Sequence, residues 1–316
     1  MGELKRLLRT YLGRLGRTRD RAGARAAVSE AVRMPWQKTL QLANSVTDSG
    51  ENVFDRDWDL LIVVDACRYD LLCEALDDQS MDRVRSVESA RSVNSATPRW
   101  MRQTFEGADA SSLAETVYVC GNPYSMYEVP TERFLTVDEV WTYAWDDSLG
   151  TLPPRPVTDR AITADRTADP DRLLVHYMQP HCPFVGFDDL SRKKSADEFG
   201  TTIDGLDVWG RLKLGEVERT DVWDAYRDTL EYVLDDIELL CENVDREQVV
   251  LTSDHGNALG ELGMYGHPPN MPLSCLRTVP WVELTATDTG AYEPTMASET
   301  TATPNTEERL AALGYR

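Results

Sequence analysis

Leu60-Leu-Ile-Val-Val64 is a run of five apolar residues closed by Asp59 on one side and Asp65 on the other. A run this short lies below the length of a stable helix, and its lack of alternation means that both faces meet apolar neighbours. Such a strand belongs inside a parallel sheet with helices on both sides. Thr116-Val-Tyr-Val-Cys-Gly121, Arg172-Leu-Leu-Val-His-Tyr177 and Val249-Val-Leu-Thr252 have the same character. Between them, residues 221–243 set Trp223, Tyr226, Leu230, Val233, Leu234, Ile237, Leu240 and Cys241 on one stripe at helical spacing. Helices alternating with buried strands predict an α/β fold, a mostly parallel central sheet sandwiched by helices.

The chain has 316 residues, enough for one large domain with appendages. Its charge is unusual, with 54 Asp and Glu against 33 Lys and Arg, a net of -21. Residues 1–38 hold ten Lys/Arg and three Asp/Glu, which leaves 23 basic and 51 acidic residues, a net of -28, for the rest. So acidic a body argues against nucleic-acid binding, which needs a cationic face. Lysine is confined to Lys5, Lys38, Lys193, Lys194 and Lys213. An acidic, lysine-poor surface resembles the proteins of extreme halophiles, and a haloarchaeal source is expected.

Three regions are expected: a basic amphipathic extension over 1–52, a catalytic domain over 53–284, and an acidic linker with a closing helix over 285–316. In the first, Leu4, Leu7, Leu8, Tyr11, Leu12 and Leu15 recur at helical spacing, with Lys5, Arg6, Arg9 and Arg14 between them. A helix of this kind, over residues 1–16, suits a peripheral membrane contact, the acidic body or a partner subunit. No apolar run is long enough to span a bilayer, and the amino end lacks the apolar core of a secretory signal. Six scattered cysteines read as reduced thiols. A cytoplasmic, or membrane-peripheral, protein is the expectation.

The chemistry concentrates beyond the strand ends, where ligands collect in open α/β sheets. Asp254 and His255 follow the 249–252 strand, and Gly256 lets the backbone turn. A carboxylate beside an imidazole suits a divalent cation, although an Asp at a strand end also caps turns. Asp65 closes the first strand, as a ligand or as the cap of the helix that follows. Ser92-Val-Asn-Ser-Ala-Thr-Pro98 puts hydroxyls just ahead of a predicted helix, because proline is favoured in a first helical turn. His181 lies between two prolines and His267 precedes one; each is a substrate-binding candidate or a loop histidine. His176, inside a predicted strand, reads as a core histidine, and Arg68 and Asp70 as a bridge between elements.

Together these motifs resemble the alkaline phosphatase superfamily, and most closely its sulfatase-like branch. The similarity rests on Val63-Val-Asp65-x-x-Arg68-x-Asp70, on Pro180-His-Cys-Pro-Phe184, and on Ser253-Asp-His-Gly256 through Glu261 to Gly266-His-Pro268. The tail Glu308 to Tyr315 also looks like that of many sulfatase-like proteins. The resemblance implies a hydrolase of phosphate or sulfate esters in which Asp65, Asp254, His255 and a nucleophilic hydroxyl hold one divalent cation (Ca2+, Mg2+, Mn2+ or Zn2+). His181 and His267 would bind the oxygens of a small-molecule or glycan ester, or protonate the leaving group. Transfer to an acceptor in surface glycan metabolism, and a catalytically silent metal-binding relative, are the alternatives.

Two departures from the family pattern matter. Sulfatases carry Cys or Ser two residues before the proline, as the precursor of formylglycine; here that residue is Ala96, and Arg99 directly follows Pro98. An unmodified hydroxyl is better matched to phosphoryl transfer. Asn94-Ser95 resembles the nucleophile pair of the phosphoglycerate-mutase branch, which favours Ser95 over Thr97, with Thr97 as the cap of the helix that Pro98 opens. The second departure is the scarcity of histidine. Two-metal members need more ligands than the four histidines supply, so one cation is expected.

Overall fold

In the computed structural model, Leu60–Asp65 forms β1 at the heart of a seven-stranded sheet. The structure describes residues 50–78, 81–190 and 207–296, with parts of 9–42. The other strands of the sheet are β2 (Val84–Arg91), β3 (Thr116–Cys120), β4 (Thr136–Glu139), β5 (Arg172–Pro180), β6 (Val249–Ser253) and, last in the chain, β9 (Thr278–Leu284). A separate two-stranded ribbon pairs β7 (Ala258–Leu259) with β8 (Tyr265–Gly266). Strand order is β2-β9-β6-β1-β5-β3-β4. From β6 to β4 every pairing is parallel, while β9 runs antiparallel to both β6 and β2.

Both faces of β1 are covered, as its unbroken apolar run requires. Leu60, Ile62 and Val64 enter one core with Tyr226, Leu230, Val233 and Ile237 of the long helix Arg219–Cys241. Leu61 and Val63 enter the other, with Trp100, Met101 and Phe105 of α3 (Thr97–Gly107). Each such buried side chain contributes roughly 1.5–3 kcal/mol relative to exposure. Between β1 and α3 lies α2 (Tyr69–Asp78). Besides β9, the sequence left unrecognised the polar strands β2 and β4, neither of which has a fully buried residue. They form the two edges of the sheet, where apolar patterning is not needed.

At the amino end, residues 33–42 are helical and are called α1. Leu40 of α1 packs on a small cluster of Ala258, Met264, Met271, Leu273 and Leu276. Residues 285–296 have no regular structure, and several of them are bonded to the body. Thr285, Thr287 and Thr289 donate backbone bonds to Arg83, Cys241 and Glu242. The Asp159 carboxylate gathers Tyr292, Thr295 and Met296. The closing helix expected over 307–313 lies outside the described residues.

Candidate metal centre and active site

The carboxyl ends of the adjacent strands β6, β1, β5 and β3 share one edge of the sheet, and the chemistry of the chain collects there. Asp65 is the last residue of β1, and Asp254-His255 directly follows β6. Pairing of β1 with β5 steps from Val64–Tyr177 to Asp65–Pro180, which brings the Pro180-His181 turn beside Asp65. Asp65, Asp254 and His255 each offer one ligand atom, all within 4.8 Å of one another, and all three residues are buried.

The hydrogen bonds leave the correct atoms free for a cation. His255 Nδ1 lies 2.9 Å from the carbonyl of Gly256. A carbonyl can only accept, so Nδ1 carries the proton and Nε2 presents a lone pair. That lone pair faces Asp254 Oδ2 at 3.3 Å and Asp65 Oδ1 at 4.0 Å. Asp254 Oδ1 accepts from the backbone of Ala66 and of His255, both at 2.8 Å, while Oδ2 is buried with no hydrogen-bond partner. Burial, and after it the charge of Asp254, push the Asp65 carboxyl well above the ordinary carboxylate range, against opposing bonds from Asn122 and Thr97. Two adjacent buried carboxylates facing a bare imidazole nitrogen need either a proton or a cation. The donor set of two carboxylate oxygens, an imidazole nitrogen and a hydroxyl fits one divalent ion.

The hydroxyl at this site is that of Thr97, not Ser95. Thr97 Oγ1 lies 3.1 Å from His255 Nε2 and 3.4 Å from Asp65 Oδ1. It is the first residue of α3; the N-cap is Ala96, whose side chain makes no cap bond, so the Thr97 hydroxyl is not spent as a cap. Ser95, expected as nucleophile and ligand, turns away. Its Oγ donates to the carbonyl of Pro268 at 2.7 Å and accepts from Met271 N at 2.9 Å. Asn94 works alongside, holding Asn270 through backbone and side chain at 3.1 and 2.9 Å. The Asn-Ser pair is therefore a clamp on the segment that follows His267. Extended backbone alternates side-chain direction, so positions 95 and 97 flanking Ala96 read alike in sequence; only the start of α3 separates them.

His181 and His267 also converge here. Their Nε2 atoms are 3.0 Å apart, and the His267 ring stacks on His255 with centroids 4.6 Å apart. His181 Nδ1 donates to the carbonyl of Cys182 at 2.6 Å, so in a neutral pair His267 Nε2–H donates to His181. His267 Nδ1 is buried without a partner. Burial, followed by the neighbouring His255 and His181, holds His267 well below the usual imidazole range. His176 is a core residue, as expected, bonded to Tyr118 at 3.0 Å and brought down to about 4 chiefly by burial. Arg68 is the predicted bridge: it binds Asp70 through two nitrogens, Glu261 at 2.7 Å and the Asn257 carbonyl at 3.1 Å.

Two contributors escaped the sequence reading. Asn122, just beyond β3, donates to Asp65 Oδ2; the rule that located Asp65, a polar residue past a buried strand, applies to it equally. Ala66 donates to Asp254 from a left-handed conformation with φ of 63°. That conformation is costly for a residue with a Cβ, and no sequence signal marks it.

No family model matches the chain, and no curated protein does. Among solved structures it is similar to the integral membrane protein lipooligosaccharide phosphoethanolamine transferase A of Neisseria meningitidis. That match has a TM-score of 0.50 and 14% identity, over 90% of this chain and 60% of that one. The chain has an alkaline phosphatase-like fold. Two more matches are a 2-O GAG sulfatase (TM-score 0.48, 12% identity, 72% of this chain and 63% of that one) and a phosphonate monoester hydrolase from Silicibacter pomeroyi (0.40, 15%, 73% and 68%). The structural neighbours thus include phosphoethanolamine transferases, sulfatases and a phosphonate monoester hydrolase. The cytoplasmic location expected is not supported by these comparisons. No helix among the described residues is long and apolar enough to cross a membrane.

Proposed function

We propose that the chain is a divalent-metal-dependent enzyme that cleaves phosphate esters through a covalent intermediate on Thr97. The single observation behind this reading is the position of Thr97 Oγ1, 3.1 Å from His255 Nε2 and 3.4 Å from Asp65 Oδ1 at the start of α3. Asp65, Asp254 and His255 would hold the ion together with the Thr97 oxygen. A divalent cation there supplies positive charge that favours the Thr97 alkoxide and polarises the phosphoryl oxygens.

The protein's own groups account for the rest. Asn122 and the Ala66 amide fix the two carboxylates through hydrogen bonds, so the site does not reorganise when substrate arrives. The start of α3 directs its dipole at an incoming anion. His181 and His267 bind phosphoryl oxygens, and the His267 Nε2–H is available to donate a hydrogen bond to the departing ester oxygen. The Thr97 oxygen–phosphorus bond forms as the ester oxygen–phosphorus bond breaks; the proton that the Thr97 hydroxyl gives up passes to solvent, and the departing ester oxygen takes one from solvent. Water then releases phosphate, or an acceptor alcohol takes it up. The absence of Cys or Ser at position 96 favours phosphate over sulfate esters.

The test is an assay of aryl phosphate mono- and diesters and aryl sulfates with Mn2+, Mg2+, Ca2+ or Zn2+, with and without glycerol as acceptor. Wild type and Thr97→Ser turn over phosphate esters, Thr97→Ala does not, and mass spectrometry of quenched enzyme finds phosphate on the 97-containing peptide. Glycerol phosphate among the products assigns transfer rather than hydrolysis. Full activity in Thr97→Ala removes the mechanism, and inactivity of the wild type on every ester and metal leaves a metal-binding relative without catalysis.

A further inference from the structure

Four of the nine exposed large apolar side chains among the described residues fall in the first 42 positions: Leu12 (57% exposed), Val28 (66%), Trp36 (43%) and Leu42 (70%). Exposed cations accompany them, Arg9, Arg19 and Lys38 among the described residues. This is the region that carries ten of the chain's 33 Lys and Arg, ahead of a body of net charge -28. Soluble surfaces bear scattered apolar residues without consequence, but an arm that combines them with nearly a third of all positive charge is a different object.

The arm is also fastened at a particular place. Trp36 Nε1 donates to the carbonyl of Leu262 at 3.2 Å, and Gln41 Nε2 to that of Pro269 at 2.9 Å. Leu40 seats α1 on the cluster of Met264, Met271 and Leu276. Leu262 itself is 62% exposed, so the apolar surface continues from α1 onto the loop that carries His267. The outward side of α1 offers Pro35, Trp36, Lys38, Thr39 and Leu42.

We propose that this amino-terminal arm docks the protein on an anionic lipid surface. Such a surface supplies both terms the arm is built to meet. Anionic headgroups attract its Lys and Arg, and the headgroup–acyl boundary takes up Leu, Val and the exposed part of the Trp36 ring, whose N–H stays bonded to the Leu262 carbonyl. A second copy of the chain meets only the first term. Its body is acidic, but its remaining exposed large apolar side chains, Val87, Met126, Tyr127 and Leu135, are spread over three separate segments. Docking through α1 places the His267 loop beside the lipid. The proposal does not depend on the reaction assigned to Thr97.

Sedimentation with vesicles tests it. The full chain pellets with phosphatidylglycerol vesicles and not with phosphatidylcholine vesicles, and the bound fraction falls across a KCl series. Leu12→Ser with Val28→Ser weakens partitioning by about tenfold or more, as does Arg9→Glu with Lys38→Glu. All four side chains are exposed, so folding is preserved and circular dichroism verifies it. Thr97→Ala binds vesicles as the wild type does, which separates this result from any failure of the catalytic reading. Lack of pelleting with phosphatidylglycerol overturns the proposal. So does equal pelleting with both lipids, or binding unchanged by the variants. Lipid-free self-association that the same substitutions abolish overturns it too, and assigns the arm to a contact between copies.

Discussion

Asp65 and Asp254 pose the sharpest question at the scale of single residues, because two carboxylates are buried side by side, facing the His255 imidazole. In chelator, Asp65→Asn relieves that repulsion, and its thermal midpoint equals or exceeds the wild type's. With a divalent ion at a hundredfold its dissociation constant, the wild type gains about 2.7 kcal/mol and the variant gains little; calorimetry with and without metal reads both. Thr97 and Ser95 separate by a different logic. Thr97→Ala should cost at least about a thousandfold in kcat with little change in stability. Ser95→Ala leaves the carbonyl of Pro268 and the amide of Met271 unmatched in a buried place, which costs roughly 1–3 kcal/mol for each group. It therefore lowers the midpoint of denaturant unfolding while the phosphothreonine still forms. The hydroxyl pair was legible in the sequence, and its division of labour was not. Which hydroxyl faces the carboxylates depends on where α3 begins, and Pro98 marks that point only to within a residue or two.

Among the elements, the turn after β6 is the most constrained. Gly256 was expected to serve a sharp turn through its backbone freedom. The structure gives another reason: a Cβ there would sit 2.3 Å from the carbonyl oxygen of Cys275 and 3.0 Å from Arg68 Cγ. Gly256→Ala forces backbone apart and should cost about 3 kcal/mol or more, measured by denaturant unfolding, with metal affinity falling in step. Arg68 ties the start of α2 to the β7 turn through Asp70 and Glu261. Burial raises both carboxyls, but the bonds and charge of Arg68 outweigh it and hold Asp70 and Glu261 below their ordinary values. A carboxyl with a lowered folded-state value stabilises above its unfolded value and loses that contribution as pH falls through the folded one. Stability should therefore decline on acidification below the ordinary carboxylate range, and Arg68→Met should flatten that decline in a series of melts against pH.

For the whole molecule the governing quantity is charge. A body of net -28 repels itself, and salt screens that repulsion over a length that shrinks from about 10 Å at 0.1 M to about 3 Å at 1 M. Thermal midpoints should rise steadily with KCl, which is the behaviour the halophile-like composition anticipates; a midpoint independent of salt would remove that reading. The buried sheet should respond less, since β1, β5 and β6 owe their cohesion to apolar contacts on both faces.

Composition and local pattern were sufficient for the layered α/β architecture, because a strand with no polar face has few places to be other than the middle of a covered sheet. The same pattern located Asp65, Asp254 and His255, since strand ends in such sheets collect functional groups; His181 and His267 entered through the family resemblance. Tertiary structure alone decided three matters: that Thr97 rather than Ser95 meets the carboxylates, that Asn122 and the Ala66 amide hold them, and that α1 rests on the His267 loop. Each is a contact between residues dozens to hundreds of positions apart. Local periodicity carries no record of such distances, which are set only when the two apolar faces of β1 are packed and the loops beyond it are forced together.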